Sequence, residues 1–421
     1  MSSAPESPFA GLVSDVERTV LDNGLRVLVR EVYPSQVVAL SIWVGVGSVF
    51  EASEQAGYSH FLEHMLFRNR AVGNGISYEL QALGGYLNGF TSYECTCYWS
   101  VFSERHFERV IELQRQAVLD TCFGQEECQR EAEVILEELK MREDDPSAYC
   151  FEQLLEVAYP DHAYGRPIIG RAEVLESVKP QHLEQFYRRF YVPENMAVVV
   201  VGGISAERVL PLVEACFGKT GSVAPPPRQP GRIGDGGRRR RVLEGDIAGT
   251  HLQVAFPIPD LYSDEAFACD LLACVLGRGR SSRLHRCLRE RDNCVSRIGS
   301  SLFLGREPGQ FVIQAVLPNQ HLETAETALW RELERVRQGD ISEHELHKAR
   351  NMVESSYIFG QETVEGQARK LGYYEMMGDH GLADDYVRRL WRVDLEGLRS
   401  AAARFLEPAS ASTVVYGGAR G

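Results

Sequence analysis

Residues 57–68 read GYSHFLEHMLFR and contain no helix breaker after Gly57. We predict a helix here, with Ser59 as a residue that can cap its start. His60 and His64 are four residues apart, so both imidazoles project from one face of this helix and can bind a single metal ion. The opposite side is apolar and can anchor the helix in a core. Its residues are Leu62, Met65 and Leu66.

Glu63 lies one residue before His64 and shares the face of the histidines. Neutral histidines are natural Zn²⁺ ligands, and Glu63 can take a proton from a zinc-activated water without binding the metal itself. We therefore predict a zinc site with Glu63 as its general base. The alternative is an accidental meeting of these residue types on one helix. HELH at 344–347 could also bind metal, but it lies in a strongly charged stretch without apolar support, which indicates an exposed helix face.

The composition limits the classes of protein to which this chain can belong. Its 421 residues, 44% of them hydrophobic, provide enough apolar material for two or three domains. A formal net charge of -14 argues against nucleic acid as a partner. The longest nearly uninterrupted apolar run, 37–46, is far shorter than the roughly 20 residues that cross a bilayer, so we expect no membrane span.

Two further features favour a cytoplasmic location. Residues 1–17 lack a basic start followed by an apolar stretch, so no secretory signal is visible. The ten cysteines are scattered and form no CxxC pairs, which is typical of reduced thiols. We expect most of them to be small core residues.

A Gly- and Pro-rich segment divides the chain almost in half, and its composition is typical of a linker. We assign residues 1–218 to an N-terminal zinc-binding catalytic domain, residues 219–240 to the linker and residues 241–421 to a homologous C-terminal domain without metal ligands. The basic run at 238–241 is short, and in an acidic chain it indicates a solvated edge.

Both halves begin with the same pattern. Alternating apolar residues at 38–44 and 252–256 predict half-buried strands, and a helical apolar pattern follows each. Residues 60–67 can be placed over 270–277, which indicates two copies of one strand-then-helix unit. Further helices are predicted at 104–120, 126–142, 321–338 and 343–359, and short β-rich runs at 196–201 and 311–316. We predict an α+β fold of two homologous domains, each an antiparallel sheet packed with helices.

HFLEH reverses the order of the HExxH zinc motif and resembles the HxxEH signature of the inverzincin metallopeptidases, the family of pitrilysin, insulysin and the mitochondrial processing peptidases. Three further segments resemble that family. They are VGVGSVFE at 44–51, LGGYLNGFTS at 83–92 and YGRPIIG at 164–170. The resemblance spans nearly the whole chain. It implies the processing-peptidase metallohydrolase fold and a zinc-dependent endopeptidase of the half-length bacterial type.

The resemblance also implies a third zinc ligand. In the family, a glutamate on a second helix completes the site, and Glu138 in EAEVILEE (131–138) matches it, while Glu131 matches a supporting carboxylate. Periodicity does not choose between Glu137 and Glu138, whereas the family match favours Glu138. Three protein ligands leave a fourth position for water, so one Zn²⁺ per chain would catalyse peptide-bond hydrolysis.

Substrate binding is implied at Asn88 and Gly89. In the family, an edge strand at this place pairs with extended peptide through backbone hydrogen bonds, and the LGGYLNGFTS segment alternates suitably for such a strand. The alternative is a plain hairpin strand. Recognition through the backbone favours unfolded peptides as substrates.

The second half departs from the zinc pattern. Asp270, Ala273 and Cys274 stand where the metal-binding residues would be, so we expect this half to bind no metal. In the family it still supplies an arginine and a tyrosine seven residues later, which bind substrate and stabilise the oxyanion. Arg289 matches the arginine, but Ser296 stands in place of the tyrosine.

The missing tyrosine bears on the oligomeric state. Some half-length members pair a metal-bearing subunit with one that lacks HxxEH and keeps the Arg and Tyr. We expect this chain to be the metal-bearing subunit of such a hetero-oligomer, with a homodimer as the alternative. A competing functional reading is a noncatalytic core or scaffold subunit of the same family, against which the intact zinc residues argue.

Overall fold

The protein is described from a computed structural model, in which residues 15–67, 75–221, 223–228, 231 and 237–418 are defined. Two sheets are packed against helices, which confirms the predicted α+β class. The strands are β1 (Val16–Val20), β2 (Arg26–Glu31), β3 (Val37–Val44), β4 (Tyr86–Thr91), β5 (Thr96–Ser103), β6 (Met196–Gly202), β7 (Arg239–Gly245), β8 (Thr250–Ile258), β9 (Arg297–Phe303), β10 (Gly309–Leu317) and β11 (Ser412–Gly418).

The helices include every long helix that periodicity predicts. They are α1 (Tyr58–Phe67), α2 (Ile76–Ala82), α3 (Phe107–Leu119), α4 (Gln125–Glu143), α5 (Pro146–Ala158), α6 (Ala172–Ser177), α7 (Pro180–Phe190), α8 (Ala206–Phe217), α9 (Asp264–Leu276), α10 (Leu322–Arg337), α11 (Glu343–Phe359), α12 (Val364–Met376), α13 (Leu382–Arg392) and α14 (Leu395–Phe405), with a π-helical segment at His285–Arg291. Across the defined ranges, no helix has the length and apolar character needed to cross a bilayer.

The two sheets repeat one topology, apart from the additional strand β1 in the first. The first has the strand order β1-β2-β6-β3-β5-β4 and the second has the order β7-β11-β8-β10-β9. The pair β2 and β6 is parallel, as is the pair β7 and β11, and all other neighbours are antiparallel. Because α1 follows β3 in the chain and α9 follows β8, the strand-then-helix unit occurs twice.

The central strands are buried on both faces, so the prediction of half-buried strands was wrong for β3 and β8. On β3, alternate residues from Val38 to Val44 face the core beneath α1, whereas Ala39 and Trp43 face a second core. The second face of each of these strands is covered by a helix from the other half of the chain. Sequence periodicity within one half does not reveal this covering helix.

The halves exchange these covering helices. Helix α5 of the first half packs on β8 and β11, while α12 of the second half packs on β3 and β6. The contact of α5 with the second sheet is apolar. It consists of Cys150, Leu154 and Val157 against Ala255, Val312 and Val414. This exchange joins the two sheets through buried apolar surface. The predicted domain boundaries, with a linker at residues 219–240, stay a prediction.

Two further predictions concern the basic run at 238–241 and the cysteines. The basic run enters β7, which lies at one end of the second sheet's strand order. Its residues alternate between exposed and half-buried, in keeping with the predicted solvated edge. Arg240 also lies 2.5 Å from a Glu326 carboxylate oxygen, and Arg241 lies 2.6 Å from one of Glu156, ion pairs that the composition did not predict. All ten cysteines are unpaired and seven of them are buried.

Candidate metal centre

The histidine-bearing helix α1 is anchored as its apolar pattern predicts. Leu62, Met65 and Leu66 are all buried in the first core, and α1 packs against α4 and beside β4. The predicted cap at Ser59 was wrong, because the helix already begins at Tyr58.

Glu51 takes the capping role instead. Its buried carboxylate accepts hydrogen bonds from the backbone N–H groups of Gly57 and Ser59, at 2.8 Å and 2.7 Å. Burial raises the pKa of Glu51, although these donors oppose the shift. An acidic residue seven positions before the start of the helix is a weak sequence signal, since only the path of the loop brings it back to that start.

The glycine turn at 164–170 positions the same helix start. Gly57 and Gly170 have φ values of +100° and +98°, and a Cβ added to Gly57 would lie 2.6 Å from the Ile169 carbonyl oxygen. From the same turn, Arg166 donates to the carbonyl oxygen of Glu51 at 2.6 Å. Only glycine permits this approach of the two segments, so the turn holds the loop that leads into α1.

His60, His64 and Glu138 lie together between α1 and α4. One ligand atom from each lies within 4.8 Å of the others. Glu138 Oε2 is 3.4 Å from His64 Nε2 and 3.8 Å from His60 Nε2. Ligand atoms about 2.0–2.1 Å from a tetrahedral zinc ion lie roughly 3.3 Å apart, so this donor set fits Zn²⁺ closely.

Helix α4 directs Glu138, not its neighbour Glu137, toward the histidines. The Glu137 side chain is 70% exposed and lies 2.7 Å from Lys140 Nζ on the same helix. The packing of α4 against α1 therefore makes the choice that periodicity left open.

Glu131 orients the His64 imidazole by a contact with Nδ1, the nitrogen that does not face Glu138. Its carboxylate lies 2.9 Å from His64 Nδ1, and its side chain is only 2% exposed. An ionised carboxylate accepts hydrogen bonds only, so Nδ1 carries the proton and Nε2 is the atom presented to Glu138. This carboxylate–histidine arrangement is the one that supports zinc-binding imidazoles.

The two histidines have opposite electrostatic surroundings. Burial, with the neighbouring His64, lowers the pKa of His60 to about 4, so its imidazole is neutral as a metal ligand must be. Burial would also lower the pKa of His64, but hydrogen bonds with Glu131 and Glu138 outweigh it and raise that pKa to about 9, so a metal ion bound at Nε2 would displace a proton from His64. His64 thus lies between two carboxylates, in an environment that favours a divalent cation.

Glu63 is held by the end of β4. Thr91 Oγ1 donates a hydrogen bond to Glu63 Oε2 at 2.6 Å. Burial raises the pKa of Glu63, while the Thr91 hydroxyl opposes the shift. A partly buried carboxylate with a raised pKa, next to the metal-binding residues, suits a group that takes up and releases a proton.

Strand β4 lies at the end of the first sheet's strand order, with β5 as its neighbour. Gly89 faces α1, since a Cβ there would lie 2.8 Å from the Phe67 ring. Successive residues of a strand face opposite sides, so the exposed Asn88 side chain points away from α1, and its Oδ1 accepts a hydrogen bond from the Gly89 N–H. The edge of β4 beside the metal-binding residues therefore presents backbone groups and not large side chains.

The residues of interest in the second half lie outside the metal-binding group. Arg289 is exposed on the π-helical segment, with Nη1 3.4 Å from His285 Nε2. Ser296 precedes β9, and its hydroxyl and backbone N–H both donate to the Val316 carbonyl oxygen. Asp270 pairs with Arg278 at 2.6 Å. Within the defined ranges, the first-half histidines and Glu138 form the one group of three metal-binding side chains.

Comparisons with known proteins match most of the chain to one peptidase family. Residues 26–172 match the family model described as insulinase, peptidase family M16, and residues 177–353 match the model described as the peptidase M16 inactive domain. An uncharacterized zinc protease of Mycobacterium tuberculosis is 30% identical over 411 residues, which cover 96% of this chain and 93% of the relative. The chain belongs to peptidase family M16. The resemblance inferred from HxxEH is thereby confirmed.

A further relative and two solved structures match over most of their length. The Bacillus subtilis protein YmxG, an uncharacterized zinc protease, is 26% identical, with 92% of this chain and 95% of YmxG covered. A protease from Helicobacter pylori has a TM-score of 0.89 at 23% identity, over 96% of this chain and 99% of that one. An M16-like peptidase structure from Alicyclobacillus acidocaldarius has a TM-score of 0.85 at 20% identity, over 99% and 100%. These structures show the two-domain fold of half-length M16 proteins.

Proposed function

We propose that this protein is a zinc-dependent endopeptidase that hydrolyses unfolded peptides or processes a peptide precursor. The convergence of His60, His64 and Glu138, with Glu63 beside them, is the observation that carries this proposal. Membership of family M16 and relatives named zinc proteases support it.

Zinc held by the two imidazoles and Glu138 would polarise the scissile carbonyl and lower the pKa of water. Glu63 takes the proton of the attacking water and passes it to the leaving amine. The Thr91 hydroxyl occupies Glu63 Oε2 and leaves Oε1 for this transfer. Glu131 keeps His64 in the tautomer that presents Nε2.

Strand β4 binds the substrate in this proposal. An extended peptide adds to the edge of β4 by backbone hydrogen bonds, with Asn88 and Gly89 as the central residues. Because these contacts are made by the backbone, they select an extended conformation more than a sequence. Unfolded chains are therefore the preferred substrates.

A second subunit completes the site in this proposal. Ser296 offers no phenol, and it is held by two hydrogen bonds to Val316. We infer a partner of the same family that supplies an arginine and a tyrosine to the oxyanion, with a homodimer that uses Arg289 as the alternative. Peptide cleavage by the chain alone, compared with the chain purified with its native partner, distinguishes the two.

The decisive experiment replaces Glu63 by Gln. We expect one zinc per chain to be retained, as measured by atomic emission, while kcat/KM for an unstructured peptide falls about 10²–10⁴-fold. Glu54→Gln, an exposed carboxylate before α1, is the matched control and should leave both values unchanged. A wild-type chain that binds no zinc and cleaves no peptide would favour the noncatalytic scaffold subunit instead. A Glu63→Gln variant that cleaves at the normal rate would rule out Glu63 as the general base.

A further inference from the structure

A pocket of about 520 Å³ lies in the second half, among α9, α11, α12 and α13. Its charged and polar lining comes from Asp270 and Arg278, from Ser356 on α11 and from Lys370 on α12, and Leu261 and Met352 are part of its apolar lining. The volume is within the range of about 300–1,000 Å³ that small-molecule sites occupy.

This pocket is the counterpart of the metal centre. Helix α11 packs on α9 as α4 packs on α1, and the strands β9 and β4 occupy the same place in their sheets. Ser356 lies 13 residues after the first residue of α11, as Glu138 does on α4. The repeat has therefore kept a recess at this place, with different side chains.

A guanidinium group provides the positive charge here. Arg278 Nη2 lies 2.6 Å from Asp270 Oδ1, and Nη1 lies 3.6 Å from Cys274 Sγ. The Asp270 carboxylate also accepts the hydroxyl of Tyr386. Each oxygen of Asp270 thus has one partner, whereas Arg278 has five N–H donors and these contacts use two of them.

Lys370 adds a second cation, which forms no ion pair with the carboxylates of the defined residues. Its Nζ lies 2.9 Å from the centroid of the Tyr357 ring, and no carboxylate of the defined residues lies within 4.0 Å of it. Burial lowers the pKa of Lys370 to about 7, although Asp384 opposes the shift. Burial disfavours the charged form of Lys370, and an anion bound in the pocket would favour it again, so binding of an anion would be coupled to protonation of Lys370.

We propose that this pocket binds a carboxylate on an apolar body, with Lys370 and Arg278 as the groups that recognise the anion. The ligand is a small organic acid or the C-terminal carboxylate of a peptide, and the apolar and tyrosine surfaces hold its body. The site is separate from the zinc centre and does not depend on the proposed peptidase activity.

The test measures binding of defined acids to the full chain by calorimetry and by the shift in Tm. 4-Phenylbutyrate represents free acids and N-acetylphenylalanine represents a peptide terminus, with 4-phenylbutanol and N-acetylphenylalaninamide as uncharged controls. We expect both acids to bind and to raise Tm, and both neutral analogues to bind at least about tenfold more weakly. The acid that binds with the lower Kd shows whether the pocket prefers a free organic acid or a peptide C-terminus.

Lys370→Met removes this cation with little change in volume. We expect it to fold with a Tm at or above that of the wild type and to weaken binding of the acids at least tenfold, while Lys179→Met, at an exposed position before α7, binds them normally. Ser356→Phe fills the pocket from a different element and should also abolish binding. Acids that bind Lys370→Met as tightly as the wild type, or that fail to bind the wild type, would overturn the proposal.

Discussion

Helices α1 and α4 in the first half and α9 and α11 in the second half hold equivalent positions on their sheets, but the charges between them differ. The first pair presents two imidazoles and carboxylates, which together attract a divalent cation. The second pair presents Asp270 with the guanidinium of Arg278 already against it. A few side chains facing one recess therefore separate a metal site from an ion pair on the same backbone arrangement.

The largest expected effect comes from removing the third ligand. Glu138→Ala should reduce the zinc content well below one per chain and lower kcat/KM at least about a thousandfold, since several kcal/mol of transition-state stabilisation depend on the metal. Zinc analysis and peptide cleavage measure both. Its exposed neighbour provides the control, and Glu137→Ala should resemble the wild type. The reverse result would assign the ligand to Glu137.

A smaller effect is expected from the carboxylate behind His64. Glu131→Gln keeps a hydrogen-bond acceptor but removes the charge, so the zinc affinity should fall about tenfold or more, as measured by competition with a chelator. Excess zinc should restore most of the activity, in contrast to Glu138→Ala. Glu133→Gln, exposed on the same helix, is the matched control. Unchanged affinity in Glu131→Gln would remove Glu131 from the metal centre.

A substitution in the second-half recess should lower the local stability and leave the zinc content unchanged. Asp270→Asn leaves Arg278 without its counter-ion, and because Arg278 is about one-third exposed, we expect a local loss of about 1–3 kcal/mol. Hydrogen exchange of α9 and α13 amides measures this loss. The zinc content should stay at one per chain, and a decrease would show that the two recesses are coupled.

The smallest effect concerns acid stability of the second half. Burial would raise the pKa of Glu345 on α11, but hydrogen bonds from Arg283 and from the Ser342 N–H outweigh it and lower this pKa to about 2. The depressed value means that Glu345 stabilises the folded state above its unfolded pKa of about 4.3, and that this contribution is lost as the pH falls toward 2.

Glu345→Gln should therefore lower the stability by about 1 kcal/mol at pH 7, after allowance for solvent screening, and flatten the pH dependence of Tm between about 4.3 and 2. Thermal unfolding across this interval is the measurement, and Glu343→Gln, exposed two residues earlier, should keep the wild-type profile. An unchanged profile in Glu345→Gln would mean that the Arg283 pair does not stabilise α11 against acid.

Local periodicity predicted the elements well, because it depends on residues within one helix or strand. The predicted helix at 343–359 has the same bounds as α11, and that at 126–142 differs from α4 by one residue at each end. The cap by Glu51 and the exchange of α5 and α12 were not predicted. Both depend on the path of the chain between elements, on which periodicity carries no information.

The order and four-residue spacing in HFLEH are enough to place His60 and His64 on one helix face with Glu63, since backbone geometry alone orients neighbouring turns. Tertiary packing alone decided that Glu138 meets them and Glu137 does not, because the two acids are adjacent on α4 and only its rotation against α1 distinguishes them. It likewise decided that the second recess holds a guanidinium, because Arg278 lies beyond the end of α9 and folds back onto Asp270 and Cys274.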